Sequence, residues 1–441
     1  MTRELSVGLH LYQPPREASH KNLRHIKTDP QNYQETGKNW TEVITEECYH
    51  PLAKKGLLEK VSFTCYGILR EQLEKGDRQT LSVIQESISS NGVGDPFIHP
   101  LLPDLIKEDK EILTGAGINS LGFTPKYFWA PESALDNETL AILSKSGYRG
   151  VICAPEQIEL ESGGFCDNKP VFLELPGKIN LLALPFNRRF SGALAFAEKH
   201  NSNVFAKQFI LPTAYQLKED EICIGWTDGE TFGWHWKFGD IFLEYLLNNA
   251  LPNHGINTIP INDLEIKNPL RGRLKERTAW SCPHGNLIRW QGVCSCGQGD
   301  LSWKAPFYKS HQKLNDAVTK IVKKEFGLKQ EDYIELMASS FDKHFKNPGG
   351  VHTTPRLSLI SAKVSALTSR TSCGTFFDDP HFSGNINLLF AAQTFEHLKD
   401  AGLLKQAATI EGQYKKCLAA IPDPKNPGKT VLDMLSNLLN Q

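Results

Sequence analysis

The feature that most constrains this chain is the steady alternation of short apolar runs with helical runs over about its first 265 residues. Glu4 to Tyr12 alternates like a strand and runs into Gln13-Pro14-Pro15. Trp40 to Leu58 has helical spacing, and Lys60 to Cys65 reads as the next strand. Ile68 to Ser90 is helical and closes at Asn91-Gly92, and a loop carrying Asp95-Pro96 and His99-Pro100 follows. Lys126 to Ala130 is a short strand, Asn137 to Ser146 a helix ending at Gly147, and Arg149 to Cys153 a strand. Ile222 to Trp226 is a strand, Phe238 to Ala250 a helix, and Asn257 to Ile261 the last strand. Parallel βαβ units follow from such an order. The length suits one barrel of about 200–250 residues. From Val318 onward the apolar residues recur at helical spacing, in Leu357 to Leu367, Ile386 to Leu398 and Leu403 to Leu418. The expectation is an α/β barrel domain over 1–265 and a helical C-terminal domain over 266–441. Pro/Gly-rich stretches at 345–356 and 420–429 read as exposed loops.

A chain of 441 residues exceeds one ordinary core, in keeping with two domains. Lys and Arg total 49 against 50 Asp and Glu, so charge argues against nucleic acid or an anionic membrane as the main partner. No apolar run reaches the roughly 18–20 residues of a spanning helix. The first eight residues carry Glu4 where the apolar part of a signal peptide would begin. These points predict a cytoplasmic protein whose ten cysteines are reduced thiols or metal ligands.

Two carboxylates stand where apolar strands end: Glu132 after Phe128-Trp129-Ala130-Pro131, and Asp228 after Ile224-Gly225-Trp226-Thr227. In parallel barrels that end collects the catalytic groups. Trp129 flanks the first, and Trp226, Phe232, Trp234 and Trp236 flank the second. Aromatic rings suit the C–H faces of sugars, and apolar walls raise a carboxyl pKa as a general acid requires. Two carboxylates, one protonated and one ionised, are the minimum for glycosidic cleavage. A strand-end carboxylate also serves as a helix N-cap or a loop ion pair, so spacing alone leaves both roles open.

Three motifs resemble glycoside hydrolase family 57, in that family's order. His10-Leu11-Tyr12-Gln13-Pro14 is similar to His-x-His-Gln-Pro, Trp129-Ala130-Pro131-Glu132 to Trp-x-Pro-Glu, and Asp228-Gly229-Glu230-Thr231-Phe232-Gly233 to Asp-x-Glu-x-Phe-Gly. Trp280 to Gly285, Cys294 to Gly297 and Ser372 to Asp378 resemble a branch of the superfamily with a helical C-terminal domain. The resemblance implies an incomplete (β/α)7-type barrel, with the helical domain completing the substrate cleft. It implies retaining chemistry on an α-linked glucan, by hydrolysis, transglycosylation or branching, with no cofactor required for catalysis. It makes Glu132 the nucleophile and Asp228 the acid/base. His10, Gln13, His99, Trp129, Trp226, Glu230 and Trp236 are then the sugar-binding candidates. Two positions depart from the pattern: Tyr12 replaces the second His of the first motif, and Asp95 stands where the second motif carries Glu.

Two other functions use the same residues. A metal-dependent carbohydrate deacetylase would hold a divalent ion with Asp228, Glu230 and His235. A sugar-binding relative without catalysis would fit the changes at Tyr12 and Asp95. Separately, Cys282, His284, Cys294 and Cys296 offer a C-x-H and a C-x-C pair within fifteen residues. Structural zinc, reduced thiols in a packed loop and an iron–sulfur centre all fit that spacing.

Overall fold

The computed structural model describes residues 3–18, 20–177, 179–346 and 354–441. They form two compact units. The first comprises Met1–Gln13, Trp40–Asp95 and Leu121–Trp280, and the second Pro14–Asn39, Pro96–Ser120 and Ser281–Gln441. Most of the Pro/Gly-rich stretch at 345–356 lies outside the described residues. Among the described residues no helix is long and apolar enough to cross a membrane.

Among the described residues, the first unit holds ten strands: β1 (Arg3–Leu11), β2 (Ser62–Cys65), β3 (Tyr127–Phe128), β4 (Gly150–Cys153), β5 (Ile158–Leu160), β6 (Val171–Leu175), β7 (Ile179–Pro185), β8 (Ile224–Asp228), β9 (Ile256–Thr258) and β10 (Leu270–Leu274). β1 pairs in parallel with β2 and with β8, and β4 in parallel with β3 and β7. The segment Gly92–Gly94 links the two groups, through parallel bridges Phe63↔Gly92 and Gly94↔Phe128. The other gap carries the Asn187 amide donating to the Ile224 carbonyl at 2.8 Å. The result is a ring in the order β1, β2, 92–94, β3, β4, β7, β8 and back to β1. That is the incomplete seven-membered (β/α) barrel expected, followed by a mostly helical C-terminal region.

Side-chain alternation sorts the ring into an inside and an outside. Leu5, Val7, Leu9 and Leu11 of β1 belong to an apolar core with helical residues such as Leu52, Leu69, Leu243 and Leu246. Trp129, Ile152, Leu184, Phe186, Ile224 and Trp226 form a second core, built from residues of the ring itself. Gly8 pairs with Trp226 and His10 with Asp228, so these four share one face in two successive layers. A Cβ on Gly8 would sit 1.9 Å from the Trp226 ring. The bare glycine is what admits the indole.

Strands β5, β6, β7 and β10 were not expected. β6 and β7 pair antiparallel, β10 joins β6 in parallel, and β5 joins β10 antiparallel, extending one edge of the barrel sheet. The single helix expected over 68–90 is two, Gly67–Gly76 and Arg78–Asn91. Asp77 breaks it with φ −148° and caps the second piece through the Thr80 amide at 3.0 Å. The helix expected over 40–58 contains a π turn, Thr45–Tyr49.

The second unit is helical, with Lys304–Phe326, Pro355–Thr368, Pro380–Asp400, Leu404–Ala419 and Val431–Leu439 as its main elements. Lys363 is buried at its centre. Its ammonium group lies 2.7 Å from Asp109, 2.8 Å from Asn315 and 2.7 Å from Thr319. A buried charge survives only with partners of this kind.

Candidate active site

The carboxyl ends of β1, β3 and β8 bring the predicted residues together. β3 runs out into Trp129-Ala130-Pro131-Glu132. The turn at Pro131–Ser133 puts Glu132 at φ 57° and Ser133 at φ 48°. Two successive left-handed residues with side chains are strained, and strain of this kind persists only where the surroundings impose it. Here Gln157, buried, imposes it: its Oε1 accepts from the Ser133 hydroxyl at 2.8 Å and its Nε2 donates to the Ser133 carbonyl at 2.7 Å. The Trp280 amide donates to the Glu132 carbonyl at 3.1 Å.

Gln157 is thus a positioning residue for Glu132. Replacing it with Ala leaves buried Ser133 groups without partners and should cost about 2 kcal/mol of stability. Turnover should fall roughly tenfold at nearly unchanged KM, because the carboxylate loses its aim rather than its charge. Thermal unfolding and steady-state kinetics on the same preparation check both parts.

β8 delivers Asp228 and the following turn, Gly229–Phe232, delivers Glu230. Burial first, then the charges of Glu230 and Glu132, push the Asp228 carboxyl up to about 8. Asp228 is therefore mostly protonated at neutral pH, with Glu132 close enough to act on it. Glu230 is buried, and its Oε1 accepts from Tyr49 and, at 3.0 Å, from Gln13 Nε2. Burial raises its carboxyl pKa, against those two hydrogen bonds. Cys48, on the same π turn as Tyr49, donates to the Gly229 carbonyl at 3.1 Å. π turns recur at functional sites because one extra residue re-aims a side chain. Gly233 closes the motif because a Cβ there would lie 2.2 Å from the Glu47 carbonyl oxygen.

His10 sits beside Asp228 with Nδ1 3.1 Å from the Thr64 hydroxyl, and burial lowers its pKa to about 3. It is a neutral imidazole at working pH. Trp129 stacks on Trp226 at 4.9 Å between ring centroids, and Trp280 meets Trp129 edge-on at 4.9 Å. This apolar floor is the source of the low-dielectric setting. Tyr12, at the altered first motif, stacks on His10 at 6.2 Å and meets Tyr66 at 5.0 Å. Asp95, at the altered second motif, is buried, and burial pushes its carboxyl up to about 8.

Glu132, Asp228, His10, Gln13, Trp129, Trp226 and Glu230 thus share one end of the barrel. Trp236 is partly buried under Lys199, whose ammonium lies 4.8 Å from the ring centre. His99 belongs to the second unit, with Nδ1 2.8 Å from the Ser372 hydroxyl. Tyr49, Gln157 and Trp280 were not among the predicted site residues. Among the described residues, Asp228, Glu230 and His235 do not form a metal-competent group. Among the described residues, the metal-competent groups are Cys282, His284, Cys294 with Cys296, and His20, His397 with Asp400.

Solved structures share this architecture. An exo-type maltose-forming amylase from Pyrococcus sp. ST04 superposes with TM-score 0.73 at 16% identity, over 95% of this chain and 83% of that one. A family 57 branching enzyme from Pyrococcus horikoshii gives 0.59 at 15% identity, over 100% and 95%. A 4-alpha-glucanotransferase from Thermococcus litoralis gives 0.54 at 17%, over 84% of this chain and 60% of that one. At these identities the likeness concerns the fold. No curated protein matches the sequence. The model of glycosyl hydrolase family 57 matches residues 7–277, well over half of the chain. Barrel, strand-end carboxylates and family match agree: the chain belongs to glycosyl hydrolase family 57 and is an enzyme of the glycosyl hydrolase type.

Proposed function

We propose that this enzyme acts on an α-linked glucan by a retaining double displacement, with Glu132 as nucleophile and Asp228 as acid and then base. The observation that carries the reading is a carboxyl held protonated up to about pH 8 at a strand end, within electrostatic reach of a second carboxylate on a strained turn. In the first step Asp228 gives its proton to the glycosidic oxygen while Glu132 attacks the anomeric carbon, forming a glycosyl ester and releasing the leaving sugar. In the second, Asp228 takes a proton from water or from a sugar hydroxyl, which attacks the anomeric carbon and frees Glu132. Water as acceptor gives hydrolysis, and a sugar acceptor gives transfer or branching. The neutral His10 and the carboxylate of Glu230, braced by Tyr49 and Gln13, provide hydrogen bonds to sugar hydroxyls.

A product assay across α-linked glucans, with Glu132→Ala as the blank, tests this. Glucan should be shortened or rearranged by the wild type and untouched by the variant. Release of acetate from acetylated sugars, stopped by a chelator, would instead favour metal-dependent deacetylation.

Glu230 supplies a second check. Its charge is the larger of the two that raise Asp228. In Glu230→Gln the alkaline limb of kcat/KM should move to lower pH. KM should rise about tenfold, the size of one charge-assisted hydrogen bond of about 1.4 kcal/mol. An unmoved limb would separate Glu230 from the titrating acid.

A further inference from the structure

The cysteine-rich segment of the second unit takes no part in the sugar chemistry, yet it gathers three cysteines and a histidine whose ligand atoms converge. It consists of two turns of the same design. In Cys282-Pro283-His284-Gly285 the Gly285 amide closes on the Cys282 carbonyl at 2.8 Å. In Cys294-Ser295-Cys296-Gly297 the Gly297 amide closes on the Cys294 carbonyl at 3.0 Å. Each turn therefore presents a Cys at its first position, a second ligand two residues on and Gly at its fourth. Gly285 has φ +64°, which a side chain would resist, and a Cβ on Gly297 would meet Leu301 at 2.4 Å. The short helix Ile288–Gln291 lies between the two turns in sequence.

The two turns point their ligands at one place. Cys282 Sγ lies 3.7 Å from Cys294 Sγ, 3.9 Å from Cys296 Sγ and 3.5 Å from His284 Nδ1. Cys294 Sγ lies 3.4 Å from His284 Nδ1 and 3.0 Å from Cys296 Sγ. All four ligand atoms lie within 4.8 Å of one another. A tetrahedral ion with bonds of about 2.3 Å to sulfur and about 2.0 Å to nitrogen needs edges of about 3.5–3.8 Å. An iron–sulfur cluster, with its own sulfides between the metals, would hold the thiolates farther apart. Thiols are weak hydrogen-bond partners and give little reason to crowd in this way.

The surroundings complete the site. His284 Nε2 is 3.0 Å from the Ser295 hydroxyl, which orients the ring with Nδ1 toward the sulfurs. Three thiolates around a divalent ion carry one net negative charge, and Arg289 donates to Cys296 Sγ at 3.3 Å. Arg289 lies 3.7 Å from Asp378, which Lys304 approaches at 3.3 Å and the Gln298 amide at 3.0 Å.

We propose that Cys282, His284, Cys294 and Cys296 bind one zinc ion, which clamps the two turns to the helix start at Lys304 and to Asp378. Four protein ligands leave no position for a substrate, so the ion is structural.

The full chain, purified without added metal and without a metal-binding tag, should carry about one zinc per chain. Stripping the folded wild type with a chelator should release that zinc, expose three further reactive thiols and lower the melting temperature by several degrees, with recovery on adding zinc. Cobalt replacement should give the thiolate-to-metal absorption of a tetrahedral site, which needs no variant to fold. His284→Cys should keep the metal, Cys294→Ser should lose it, and Cys417→Ser, outside the cluster, should keep it. Zinc below about a tenth of an equivalent would overturn the proposal, and so would iron with acid-labile sulfide. None of these readouts depends on glycosidase activity.

Discussion

Glu132→Gln should lower turnover on every glucan substrate by roughly 10⁴-fold or more, the scale seen when a nucleophile is removed from a unit that acts together. The amide keeps the size and the left-handed turn, so folding and sugar affinity should survive. With an activated aryl α-glucoside, added azide should restore part of the rate in Glu132→Ala, because a small anion fits the space of the lost carboxylate. Its product should be a glycosyl azide of inverted configuration, since a single displacement replaces two. Chromatography and proton NMR of that product make the check. A glycosyl azide of inverted configuration from the Asp228 variant, with none from Glu132→Ala, would reverse the two roles.

Asp228→Asn should divide substrates by leaving group. Natural glucans, whose leaving oxygen needs a proton, should lose roughly 10²–10⁴-fold. Aryl glucosides with acidic leaving groups should lose less than about tenfold in the first step. The pH profile follows from the same carboxyl. Its proton is required for bond cleavage and is held up to about 8, so wild-type kcat/KM should be retained below that pH and fall as pH rises through it. The variant should lack that limb. Stability runs the same way. A carboxyl raised from its ordinary value of 3.8 to about 8 favours the protonated folded form, so folding weakens as pH rises across that window. Equal losses on both substrate types would remove Asp228 as the acid.

What was legible in the sequence, and what was not, has physical causes. Strand β1 announces itself by alternation, and β2, β3, β4 and β8 by short runs that are mostly apolar and buried. The carboxylates stood out as charges at the ends of those runs. β6 and β7 were missed although Leu175 and Ile179 flank Pro176-Gly177, a turn signal. Alternation across β6 leaves Phe172 and Glu174 exposed on one face, although the run is as apolar as a barrel strand. Tyr49 and Gln157 were invisible for a different reason. Tyr49 reaches Glu230 across 181 positions of sequence, through a π turn that helical periodicity does not reveal. Gln157 braces the Glu132 turn from a segment whose own pattern is that of an ordinary loop. The cysteine cluster was legible as spacing only. The pairing of two like turns, and the Arg289 contact, required coordinates.

The central claim is that a covalent glycosyl-enzyme forms on Glu132. Rapid quenching of Asp228→Asn during turnover of an activated aryl α-glucoside, followed by proteolysis and mass spectrometry, tests it most directly. The second step should be slow in this variant because its base is gone, so the intermediate should accumulate. The account predicts one added glucosyl group on the peptide that carries Glu132, absent from Asp228→Asn with Glu132→Gln. A glucosyl group on Glu230, or no adduct together with an inverted first-formed sugar in wild-type turnover, would contradict it.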